Sequence, residues 1–350
     1  MQIRTQRGLS VAVITAALFL TSPLDVLADA QQLIEQEVPA HWEAAWPKTD
    51  FKKSLVDFSE IFSGGPPKDG IPAIDKPVFE PVDAEGSAAP DSTEPVMSLT
   101  IAGDARTYPL RILIWHEIVN DTVGATPVSV TFCPLCNSGV VFDRRVAGGV
   151  TTFGTTGRLR NSDLVMYDRE TESWWQQFEG RAIVGVRAGT ELTRVPARLE
   201  SYADFVARHP DGKVLVPDGT HLRDYGRNPY AGYDRSPKPF LYTGNYTGPG
   251  RPLMRVVSVP GINQAWSLEL LRRDGEIRVS GTPKGDLILG WSAGQNSALD
   301  SATISEGRDV GTAIVQRVGP SGSPEDISYD VPFAFAFNAF HPDAPIHHVD

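Results

Sequence analysis

A proline or glycine interrupts this chain every few residues, 28 prolines and 32 glycines among 350 residues, and that spacing leaves little room for long helices. Short strands and many turns are what such a chain can fold into. From Val96 the apolar residues come in short runs that fit this expectation. The pattern predicts strands at Val96 to Ile101, Val128 to Phe132, Val140 to Val146, Val150 to Phe153, Leu164 to Tyr167 and Ala182 to Val186, with helices at Leu110 to Val119 and Tyr202 to Arg208. The fold class expected is α+β, mostly antiparallel β with short helices.

An internal repeat refines that expectation to two degenerate repeated subdomains. Met97 to Gly103, followed by Tyr108 to Leu113, aligns without gaps on Arg255 to Gly261 and Trp266 to Leu271. Asn137-Ser138 and Asp143 match Asn296-Ser297 and Asp300, and Phe205 with His209-Pro210-Asp211 matches Phe337 with His341-Pro342-Asp343. The second copy has Ser292 and Gln295 near the positions of the two cysteines, and nothing answering to 153–177.

The domain expectation is a signal peptide at 1–30, a lead and extended Pro/Gly-rich arm at 31–94, a cysteine-containing subdomain at 95–216, a connector or lid at 217–252, and a second subdomain without cysteines at 253–350. Arg4 and Arg7, the apolar run Leu9 to Leu20 and Ala28-Asp29-Ala30 carry the leader reading. That apolar run is shorter than the roughly 18 residues a membrane span needs, so no transmembrane anchor is expected after cleavage. The expected location is periplasmic or secreted, a compartment that permits disulfides. Within the lead, Trp42, Trp46, Phe51, Phe58 and Phe62 are apolar anchors expected to dock on the main body. Removing the leader takes away two charges of each sign, so the net charge stays at −11 and nucleic acid is excluded as a partner.

Only two cysteines occur, Cys133 and Cys136, in Cys133-Pro134-Leu135-Cys136 between two predicted strands. As a staple the pair is weak, since so short a loop gives about 2 kcal/mol against about 3 for a 15-residue loop. CxxC spacing suits reversible disulfide exchange, with Cys133 as nucleophile and Cys136 as resolving thiol, or the reverse. That redox reading, with no cofactor, is the favoured one; the runner-up is a soft metal, Cu or Zn, held by Cys133, Cys136 and His116. A non-enzymatic binding module with a structural disulfide is the third reading. On the redox reading, the partner is an unknown redox protein or a small-molecule substrate.

Around the pair, His116 is a candidate proton relay oriented by Glu117, and Arg169 a candidate thiolate stabiliser. The polar residues Ser162, Asp163, Tyr167, Asp168 and Gln176 are candidates to line a cleft opposite the cysteines. The segment 221–234, rich in aromatics, Gly and Pro, reads as a lid or clamp.

Several of these stretches together are similar to one known family. Asp69 to Asp75, Tyr108-Pro109-Leu110, Trp115 to Asp121, Phe132 to Ser138, Phe142-Asp143-Arg144 and Leu164 to Ser173 resemble the DUF3179 family over residues 69 to 345. The family is of unknown function. The resemblance implies that some related members are possible selenoproteins, which points to chemistry at the cysteine positions. Asn137, where the family resemblance implies Gly, and Trp175, where it implies an aliphatic or polar residue, depart from the pattern.

Overall fold

The computed structural model describes residues 32–349 except 86, 221–222 and 320–321. The leader expected at 1–30, and His221 and Leu222 of the connector, lie outside the described residues. Among those described, no helix is long and apolar enough to cross a membrane.

The chain is 36% strand and 14% helix, with strands that pair mostly antiparallel. Five small sheets of three to five strands are arranged like the blades of a five-bladed β-propeller. One carries the cysteines: Ile118–Val123, Thr126–Cys133 and Ser138–Asp143 form a meander, and Arg194–Val195 adds to its edge. Its first hairpin turns on Gly124 and Ala125, both at positive φ (50° and 67°), the two-residue geometry whose twist matches that of the strands it joins. Nearly every residue of this meander is buried, including the polar Ser129 and Thr131 that alternate with Val128, Val130 and Phe132, so both faces of the central strand are covered.

The helix expected over 110–119 is shorter. It spans Leu110–His116, and Glu117 closes it in the left-handed region at φ 59°, its N–H donating to Leu113 O at 2.7 Å. The β-branched pair Ile118-Val119 then begins a strand, the conformation in which stiff side chains pack best. The helix at Tyr202–Arg208 falls where the pattern predicts it, capped by the Ser201 hydroxyl, which accepts from Asp204 N–H.

The expected two repeated subdomains are not there. Residues Leu33–Asp350 form one compact unit, and a single core cluster runs from Met97 through Phe132 and Val257 to Phe335. A sheet of three to five strands has two faces to cover, and here each half of the chain covers the other. What recurs is smaller. A hairpin leads into the seven-residue helix Leu110–His116 in the first half and into Leu268–Asp274 in the second. A second seven-residue helix, Tyr202–Arg208 or Ala334–Phe340, ends with the ring of Phe205 on His209 or Phe337 on His341, at 5.3 and 5.0 Å. The strand that follows pairs parallel to the hairpin, Val214 opposite Thr107 and Ile346 opposite Ala265. The sheet holding Phe153–Arg160, Asp163–Asp168 and Trp174–Gln176 has no second copy.

That unmatched sheet carries the N-terminal lead. Ile61–Ser63 pairs antiparallel with its edge, and Trp42, Trp46 and Phe51 pack around the fully buried Trp174 at ring-centroid distances of 4.9, 5.2 and 5.3 Å. Phe58 joins the same cluster, and Phe62 packs against the main core.

At the outer end of the Pro95–Ile101/Asp104–Pro109 hairpin, Asp104 accepts from Arg106 at 2.7 Å and from Lys213 at 3.2 Å. The Arg106 guanidinium is the main cause that holds the Asp104 carboxyl down to about 2, from an ordinary 3.8. A lowered carboxyl pKa contributes stability at pH above the unfolded value, and that contribution is lost as pH falls through about 4 toward 2. Asp104→Asn is therefore expected to be about 2 kcal/mol less stable than the parent near neutral pH, with the gap closing below about pH 4. Urea unfolding of both proteins across that range checks it; a gap independent of pH contradicts it.

Candidate functional site

Cys133 ends one strand of the cysteine meander and pairs with Ser138, which begins the next, so the intervening Pro134-Leu135-Cys136-Asn137 is a four-residue tight turn and no helix forms there. Asn137 sits in the left-handed region at φ 51° and its N–H donates to Pro134 O at 3.2 Å. Gly139 lets the exit strand close: a Cβ there would stand 2.6 Å from the Met97 sulfur. From the far end of the chain, 330–333 clamps the turn. Asp330 accepts from Ser138 Oγ at 2.6 Å and Gly139 N–H at 2.9 Å, Val331 O accepts from Asn137 Nδ2 at 2.7 Å, and Phe333 N–H donates to Cys136 O at 2.8 Å. The second half uses the same device, Ser297 Oγ donating to the buried Asp234 at 2.6 Å.

The turn brings the two sulfurs to 3.9 Å, with no disulfide between them. Both cysteines are buried, as is Asp163, and one donor atom from each of the three lies within 4.8 Å of the other two. Among the described residues this is the group of metal-capable side chains so gathered. Asp163 follows the Asn161-Ser162 turn, whose residues are both at positive φ (55° and 64°), and this aims its carboxyl at the cysteines. Its Oδ2 accepts from Gln176 Nε2 at 2.6 Å and from Phe178 N–H at 2.9 Å, while Oδ1 has no hydrogen-bond partner, and the Cys136 thiol lowers the pKa of the carboxyl. The Cys133 thiol points to Ser162 O at 3.7 Å.

Charge around the sulfurs is acidic throughout. Burial pushes both thiols up, Cys136 well above its ordinary value, and Asp163 raises both further. The Cys136 thiol and backbone N–H pull Cys133 part of the way back, the latter being one of the converging N–H groups that the turn offers. Burial lifts Asp163 to about 7 and Glu117 to about 8; Asp163 raises Glu117 further, and Glu117 raises Cys133. A reactive thiolate is made by neighbouring cations, and here burial dominates and the neighbouring charges that act on the thiols are acids.

The predicted residues divide accordingly. Cys133, Cys136, Ser162, Asp163 and Gln176 come together, and Glu117 joins them by its carboxyl. His116 is fully buried with Nδ1 on Pro72 O at 2.7 Å and Nε2 on Tyr225 Oη at 2.7 Å, and it is not in the three-donor group. Arg169 pairs with Asp75 at 2.7 Å. Tyr167 donates to Asp69 and packs against Trp46, and Asp168 caps the turn at Thr171 and accepts from Trp175 Nε1 at 3.0 Å. These three hold the lead and the turn scaffold.

The connector contributes more than its motif suggested. Tyr233 Oη donates to Leu135 O at 2.9 Å, Phe240 O accepts from Ser162 Oγ at 2.6 Å, and the half-buried Tyr230 feels the charges of Glu117 and Cys133. It lies over the cysteine turn. Only the density of aromatics in 221–234 signalled these residues, and nothing in the sequence signalled Asp330.

Fold and site together define a mostly antiparallel β protein with a thiol pair buried among carboxyls. A family model described as a protein of unknown function, DUF3179, matches residues 68–344, and the chain belongs to that family. No curated protein matches the chain. No solved structure matches it either.

Proposed function

We propose that this chain is a metal-holding protein in which Cys133, Cys136 and Asp163 grip a thiophilic divalent cation, zinc foremost. The observation that carries this reading is the gathering of three donor atoms within 4.8 Å of one another in a buried turn. Two sulfurs bound to one tetrahedral zinc, at about 2.3 Å each, stand about 3.8 Å apart, and here they stand 3.9 Å apart. A carboxylate as third donor favours zinc over Cu(I), which selects softer sulfur ligands. The charge argument runs the same way: a cation displaces the thiol protons and offsets the carboxyls of Asp163 and Glu117 beside them. Three protein donors leave a fourth position, the arrangement of zinc sites that bind a water or a substrate.

Metal analysis of the purified chain, with thiol titration before and after a chelator, tests this. The expected result is one zinc per chain, with both thiols unreactive until the metal is removed. Failure to bind zinc more tightly than about micromolar sinks the proposal.

The sulfur separation also favours a second reading, thiol–disulfide exchange, because closing the pair to about 2.05 Å needs a shift of about 2 Å within one turn. On that reading the same titration finds no metal and a disulfide whose potential lies above about −300 mV.

A further inference from the structure

A cavity of about 760 Å³ opens where four of the five sheets converge. Its size falls within the range of about 300–1,000 Å³ usual for small-molecule sites. Four cations from different sheets and loops line it: Arg181, Arg194, Lys284 and Arg317. Among the described residues none of the four makes an ion pair, and the Nε atoms of Arg181 and Arg317 are shut from solvent with no hydrogen-bond partner. Arg194 is held in place by donating to Phe178 O.

Acids also line the cavity, yet two of the four are spent on partners. Asp326 is gripped by Arg198 at 2.6 Å, and Asp330 accepts from Ser138 and Gly139. Glu179, which acts on Arg181 and Arg194, and Glu191 are left to oppose the four cations. In a chain of net charge −11 this is a concentrated positive cavity, and guanidinium groups are the groups that grip carboxylates and phosphates. Phe178, stacked on Phe340 at 4.7 Å, gives the cavity an apolar wall.

We propose that this cavity binds a small organic oxyanion carrying at least two negative charges on carboxylate or phosphate groups. The proposal does not depend on what the cysteine turn holds. Its position does place the ligand against Asp330, the residue that clamps Ser138 and Gly139.

The test is calorimetric titration of the full chain with citrate and with inorganic phosphate, at ionic strength matched with chloride. Saturable binding of at least one probe is expected, weakened about tenfold or more in the double variant Lys284→Gln/Arg317→Gln. Preference for citrate or for phosphate identifies the group recognised. Should the double variant not fold, Lys284→Gln alone, at an exposed position, is expected to weaken binding measurably. No saturable binding of either probe, or an unchanged affinity in the variants, overturns the proposal.

Discussion

Cys136→Ser will lower zinc affinity by on the order of a hundredfold or more, because it removes a thiolate from a three-donor set, and a whole structural zinc site is worth about 10–16 kcal/mol. Asp163→Asn is expected to act in the same direction but less severely. An amide oxygen can still accept from Gln176 and from Phe178 N–H, so the fold is kept while the charge is lost. His116→Gln is expected to leave zinc affinity within a few fold, since both ring nitrogens of His116 are engaged by Pro72 and Tyr225. Competition titration against a chelator of known affinity reads all three. A loss in His116→Gln as large as that in Cys136→Ser would instead restore the cysteine–histidine set suggested by the spacing alone.

The largest expected stability effect lies elsewhere. Trp174→Ala is expected to cost about 3–5 kcal/mol, the range for emptying a large aromatic from a core. The indole is fully buried and is the hub on which Trp42, Trp46 and Phe51 converge, so its loss also unseats the lead. Limited proteolysis is expected to cut between residues 33 and 62 in the variant well before global unfolding. A variant within about 1 kcal/mol of the parent, with the lead still protected, contradicts this account of how the lead is held.

Short-range features were legible in the sequence because they depend on neighbours along the chain. The strand before Cys133, the capped helix Tyr202–Arg208 and the aromatic anchors of the lead all follow from local patterning. The repeat, too, was read from matching residues, and Phe205–His209 and Phe337–His341 do adopt the same local form. What patterning could not carry is which sheet packs on which. Two copies of a hairpin–helix unit fit two separate subdomains or one ring of sheets equally well, and only burial across the halves decides it.

The site follows the same division. Cys133 and Cys136 announce themselves by spacing, whereas the choice between His116 and Asp163 as third donor turns on side-chain direction. Glu117 adopts a left-handed conformation at the helix end, so its carboxyl serves the cysteine pocket while His116 points to Pro72 and Tyr225. Arg169 and Asp168 had the composition of a cleft and turned out to scaffold a turn, a usual use for dense polar residues in a buried sheet.

X-ray absorption at the zinc edge of the zinc-loaded full chain tests the central claim most directly. The account predicts two sulfur neighbours at about 2.3 Å, completed by oxygen donors at about 2.0–2.2 Å. A first shell of nitrogen and oxygen alone, or of a single sulfur, contradicts it.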